Sequence, residues 1–143
     1  MREVTDVPVA LLGYGTVGAA VNRLLLENEA DIVRATGHRL RVVKALVRDP
    51  GKERDFPAPE GVITTEIDEI VADPEIQVVA EVMGGVEEAA RHLARLFEAG
   101  KPVVTANKQL IAQRGDEMFR AASAAGVQLR FEASVCAAIP VIK

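Results

Sequence analysis

The chain has 143 residues, enough for one domain with a single buried core. Its formal charge of −4 gives no basic field, which argues against nucleic acid or an anionic membrane surface as a partner. A lone cysteine, Cys136, excludes an intrachain disulfide framework, no apolar run reaches the roughly 18 to 20 residues of a membrane span, and the acidic start is unlike a signal peptide, so a cytoplasmic location is expected.

Residues 7–12 read as an opening strand that runs into Gly13-Tyr14-Gly15-Thr16-Val17-Gly18. Val17, Val21, Leu24 and Leu25 then recur at helical spacing, predicting a long amphipathic helix with that stripe turned inward. Residues 40–47 form the next strand, Asp49-Pro50-Gly51 is a turn, and the stretch 51–61, with prolines and mixed charges, is an irregular surface loop. Thr65 is placed to cap a short helix carrying Ile67, Ile70 and Val71, and a buried strand over 77–82 stops at Gly84-Gly85. Val86, Ala90, Leu93 and Phe97 share one helical face, and Gly100 stands where a helix ends in the left-handed conformation. A strand over 102–105 follows, then a helix from about 107 to 125 with Ile111, Met118, Ala122 and Ala125 inward, a stop at Gly126, and a strand over 127–131. Residues 133–143 are apolar, carry Pro140 and lead into no further element, which reads as the start of a connection to more chain. Strands and helices alternate throughout, and several strands are apolar on both parities. The expected fold is α/β, a doubly wound parallel sheet with helices on both faces, forming one domain over residues 1–143.

In the glycine segment the first glycine allows a tight turn, the second lets backbone approach a pyrophosphate, and the third lets helix and strand pack closely. Set between a strand and a helix in the first βα unit, it is read as a dinucleotide site; the alternative is a turn whose glycines serve packing alone. At the end of the second strand Arg48 can fork onto a ribose 2′-phosphate, with Lys52 or Arg54 as helpers, whereas Asp49 suits a free 2′-hydroxyl. NADP is therefore slightly favoured and NAD stays open, and an Arg48–Asp49 pair on a solvated turn is the structural alternative. Gly84-Gly85 suits either close passage of backbone past a ligand or a simple helix entry. Val103-Val104-Thr105-Ala106-Asn107-Lys108 delivers a lysine to a helix start at a strand's carboxyl edge, where such folds bind ligands. Lys108 is thus a candidate proton donor to a carbonyl oxygen, although most helix-start lysines are solvated surface residues. Glu132, at the same edge, is a candidate ligand, base or cap. His38 and His92 have no partner at ligand spacing and read as surface residues, and Cys136 as a small buried one.

Taken together, the glycine turn, Val82-Met83-Gly84-Gly85, the run from Gly100-Lys101-Pro102 through Asn107-Lys108, and Phe131-Glu132-Ala133-Ser134-Val135 with Ile139-Pro140 resemble homoserine dehydrogenase, in order and spacing, over nearly the whole chain. The resemblance implies a Rossmann-type domain and NAD(P)-dependent reduction of aspartate 4-semialdehyde to L-homoserine, in the route to threonine and methionine. By this resemblance Gly13, Tyr14, Gly15, Thr16, Val17, Gly18, Arg48 and Gly84 meet the cofactor, and Lys108, between nicotinamide and substrate, handles the proton. It also implies a sodium ion held by main-chain oxygens of Glu132, Val135, Ala137 and Ile139. Here Cys136-Ala137-Ala138 stands where the family usually carries glycines, which bears on that ion site. Family members continue into a substrate and homodimerisation region with a second catalytic lysine, so the chain is expected to be the nucleotide-binding domain, inactive alone. Two other readings are another Rossmann dehydrogenase acting on an amino-acid-derived carbonyl, and a non-catalytic NAD(H)-sensing module in which Lys108 has no role.

Overall fold

A computed structural model describes residues 3–132. The β-branched and leucine-rich runs form six strands: β1 (Thr5–Leu12), β2 (His38–Leu46), β3 (Ile63–Thr64), β4 (Val78–Glu81), β5 (Val103–Thr105) and β6 (Leu129–Arg130). They make one sheet in the order β3-β2-β1-β4-β5-β6, with every pairing parallel. Five helices connect them: α1 (Thr16–Glu27), α2 (Glu29–Thr36), α3 (Asp68–Val71), α4 (Glu87–Glu98) and α5 (Lys108–Ala125). The strand order reverses between β1 and β4, so the loops after these two strands diverge at the carboxyl edge and leave a crevice, the place where doubly wound sheets bind ligands.

Both faces of the sheet are packed, as the apolar runs require. On one side Ala10 and Leu12 of β1, Val79 and Val103 meet Ile70, Leu93, Phe97, Leu110, Met118 and Ala122. On the other, Val9 and Leu11 pack with Tyr14, Ala19, Ala45 and Val62. Helix α4 ends as expected, with Gly100 at φ 75° and the Lys101 N–H donating to the Leu96 carbonyl. Gly126, at φ 70°, closes α5 in the same way.

The buried face of the first helix is rotated from its apolar stripe, of which Val21 still packs against the core. Gly18, Ala19 and Asn22 are its buried residues, while Val17 and Leu24 are 53% and 51% exposed. The reason lies at Gly18, where a Cβ would stand 2.4 Å from the Gly13 carbonyl oxygen. So close an approach fixes the rotation of α1 and gives the sheet-facing positions to small side chains. The helix is also shorter than expected, since Asn28 separates α1 from α2. Thr65 does not cap α3; Ile67 precedes that helix with no side-chain cap, and the Thr64 hydroxyl accepts from the Glu66 N–H. The short strand β3 follows the stretch 51–61 read as loop, in residues to which the sequence pattern assigned no element. In α5 the inward positions are Leu110, Gly115, Met118 and Ala122, not Ile111 and Ala125, because the Asn107 cap sets the phase and a break at Arg114 (φ −134°) resets it.

These contacts separate the glycines by role. Replacing Gly18 with alanine is expected to lower stability by roughly 1–3 kcal/mol through overpacking against backbone, whereas Gly15, which has nothing within 4 Å of a built Cβ, tolerates the same change. Urea unfolding of the two variants checks this, and equal midpoints would contradict it.

Candidate functional site

Loops converge at the carboxyl edge of the sheet. Those after β1, β2, β3 and β4 border a cleft of about 620 Å³ whose walls include Gly13, Gly15, Arg48, Asp49, Thr65, Met83, Glu88 and His92. Gly13, at φ 102°, makes the turn that only glycine adopts readily, and a Cβ there would meet the Met83 backbone at 3.0 Å. Gly15 faces open space. Helix α1 begins just beyond it with no side-chain cap and no acidic residue in its first turn, so its leading N–H groups and its positive dipole end are available to an anion. Glycine turn, bare helix terminus and cleft together have the shape and polarity of a pyrophosphate cradle.

The sequence candidates are distributed unevenly around this cradle. Tyr14 is buried, and its hydroxyl accepts a hydrogen bond from Asn22 Nδ2 at 2.9 Å, so its ring belongs to the core and its backbone to the cleft. Thr16 and Val17 open the helix on the exposed side, and Gly18 serves packing. Arg48 reaches across the cleft: its Nη2 donates to Glu88 Oε2 at 2.5 Å, while Glu88 Oε1 lies 3.6 Å from His92 Nε2. Arg48 therefore pairs with Glu88, not with Asp49, whose carboxylate accepts from the Gly51 N–H at 2.9 Å and shapes the turn. The hydrogen bond from Arg48 holds the Glu88 carboxyl below the usual carboxylate range. His92, read from sequence as a surface residue, is half-buried, and loss of water pushes its pKa down against the pull of Glu88. Arg54 is not a helper for a phosphate. Its guanidinium donates to the carbonyls of Tyr14 (3.0 Å), Lys52 (2.6 Å) and Asp49 (2.8 Å), stapling the loop after β2 onto the glycine turn.

Gly84, at φ 77°, and Lys108 stand at the same edge but outside the residues lining the cleft. Lys108 is the exposed first residue of α5, and its position is fixed from below by a polar network that the sequence reading missed. The fully buried Glu81 accepts from the Met83 N–H at 3.0 Å and from the Thr105 hydroxyl at 2.7 Å. Thr105 Oγ1 accepts from the Asn107 N–H at 3.0 Å, Asn107 Oδ1 accepts from the Leu110 N–H at 3.0 Å, and Asn107 Nδ2 donates to the Gly85 carbonyl at 2.5 Å. The turn at Gly84-Gly85 and the start of α5 are thereby one unit. A charged residue inside the apolar run Val78-Val79-Ala80-Glu81-Val82 was the available signal, since a carboxylate in a buried strand needs donors. Of the expected ion ligands, Glu132 is described and exposed, its carboxylate taking the Phe131 N–H at 3.1 Å. Val135, Ala137 and Ile139 lie outside the described residues.

All-parallel order, glycine turn and cleft at the switch point define a dinucleotide-binding α/β domain. The chain belongs to the homoserine dehydrogenase family: the model for "Homoserine dehydrogenase, NAD binding domain" matches residues 13–132. Homoserine dehydrogenase of Bacillus subtilis is 38% identical over 135 residues, 94% of this chain and 31% of the relative. The solved homoserine dehydrogenase of Thiobacillus denitrificans superposes with a TM-score of 0.90 at 41% identity, over 99% of this chain and 32% of that one. A hyperthermophilic archaeal homoserine dehydrogenase, solved in complex with NADPH, shares the fold with a TM-score of 0.70 at 24% identity over 92% of this chain and 45% of its own. The chain thus spans about a third of the length of the curated relatives it matches. No helix among the described residues is long and apolar enough to cross a membrane.

If the Glu81 network fixes the edge, Thr105→Val should cost roughly 1–3 kcal/mol, because the buried carboxylate loses its hydroxyl donor, and Thr105→Ser should restore most of that. Thermal unfolding of the pair checks it; a valine variant as stable as the parent would contradict it.

Proposed function

We propose that this chain is the cofactor half of an NAD(P)-dependent homoserine dehydrogenase, acting in the cytoplasm on aspartate 4-semialdehyde and homoserine. The observation that carries the reading is the open cradle at Gly15: space where a Cβ would stand, beside an uncapped helix terminus in the first βα unit. The N–H groups of residues 15–18 would hold the pyrophosphate and Arg48 would meet the adenosine ribose, and the bound nicotinamide would supply the hydride for the aldehyde carbon. Gly84, with no side chain, lets the other ribose pass. Lys108 is the residue that gives or takes the proton on the substrate oxygen. It is exposed at the ligand edge, and the Glu81–Thr105–Asn107 network holds the turn that presents it. Homodimerisation and substrate binding would rest on a region of the relatives that this chain does not match, since it spans 31% of the Bacillus subtilis enzyme. A sodium ion would be held by main-chain oxygens of Glu132, Val135, Ala137 and Ile139, a donor type suited to a hard cation.

The rival reading, a non-catalytic sensor of NAD(H), shares the cradle and gives Lys108 no task. Lys108→Ala in the full-length enzyme separates the two. Loss of at least about 100-fold in kcat with dinucleotide affinity retained is expected for a proton-transfer residue. Unchanged turnover would remove Lys108 from the mechanism, and no binding of either dinucleotide to the parent would sink the reading as a whole.

A further inference from the structure

The pair that spans the cleft bears on which dinucleotide is preferred, an inference that rests on the dinucleotide reading above. Arg48 follows β2, the position that meets the 2′ substituent of the adenosine ribose in doubly wound nucleotide domains. Its guanidinium is already engaged, by Glu88 Oε2 at 2.5 Å, and Glu88 comes from the first turn of α4 on the opposite wall. We propose that Glu88 is a specificity-determining residue, which sets the choice between a ribose 2′-hydroxyl and a ribose 2′-phosphate by competing with the phosphate for Arg48.

The charges favour this assignment. A 2′-phosphate brings nearly two negative charges to the site. To use Arg48 it must detach the guanidinium and leave the Glu88 carboxylate unpaired beside it, a like-charge contact. A free hydroxyl instead donates to a carboxylate and leaves the pair standing. Neither Arg54 nor His92, both of which line the cleft, readily relieves Glu88. Arg54 is committed to backbone carbonyls, and His92, 3.6 Å from the other Glu88 oxygen, is held towards its neutral form by burial. Lys52, which also borders the cleft, remains to meet a phosphate, so the 2′-phosphate is disfavoured and not excluded. The Arg48 side chain is 81% exposed, which makes the pair weak enough to break and the effect a graded one.

Calorimetric titration of the chain with NADH and with NADPH, in the parent and in Glu88→Gln, reads the effect. The expected result is a shift of the affinity ratio by about 3- to 10-fold towards NADPH in the glutamine variant. In an Arg48→Ala background the same substitution should move the ratio much less, because no guanidinium is left to release. A ratio that stays put in Glu88→Gln overturns the proposal, as does a shift of equal size without Arg48, which would mean simple repulsion and not competition. If the parent binds neither dinucleotide, this inference falls with the reading beneath it; if it binds both and the ratio does not move, this one alone falls.

Discussion

The carboxylate of Glu81 is the constraint on which the ligand edge depends. It is fully buried at the last residue of β4, with the Met83 N–H on one oxygen and the Thr105 hydroxyl on the other. A buried carboxylate without donors is among the most unfavourable groups a core can contain, so its neighbours are arranged to satisfy it. Met83 is drawn into the turn that leads to Gly84-Gly85, and that same backbone forms the floor against which Gly13 packs. Thr105 passes the constraint on to Asn107 and the first turn of α5. One side chain ties the end of β5 to the loop after β4, and the glycine turn packs on that loop.

Around this framework the site divides into a part made of backbone and a part made of charge. The glycine turn and the start of α1 offer N–H groups and, at Gly15, free space, which suits the part of a dinucleotide that never varies. Arg48, Glu88 and His92 on the far side form a contiguous set, in which the hydrogen bond from Arg48 draws the Glu88 carboxyl below its usual range. Backbone recognition is insensitive to substitution except at glycine. Side-chain pairing can be retuned by a single change.

Local signals made most of the fold legible from sequence. Strands apolar on both parities announced a sheet covered on two faces, and Gly100 and Gly126 marked two helix ends where the chain does turn left-handed. The errors in the helices arise where a single contact or break overrides the periodic pattern. The Val17–Leu24 stripe is a sound helical pattern, yet the approach of Gly18 to the Gly13 carbonyl decides which face of α1 meets the sheet. For the site, the glycine turn and the lysine at the edge were readable because motif and position coincide. The pairing of Arg48 with Glu88, 40 residues away, was not, and neither was the engagement of Arg54 by carbonyls. Charge-pair partners across a cleft leave no periodic trace in a sequence.

The central claim is that a nicotinamide dinucleotide lies along the carboxyl edge with its phosphates against residues 15–18. Backbone amide NMR of the chain during titration with NADH tests it most directly. The account predicts the largest shifts at Gly13, Gly15, Thr16, Val17 and Gly18, with smaller ones at Arg48, Gly84 and Glu88. Shifts centred elsewhere, or none at millimolar NADH, would contradict it.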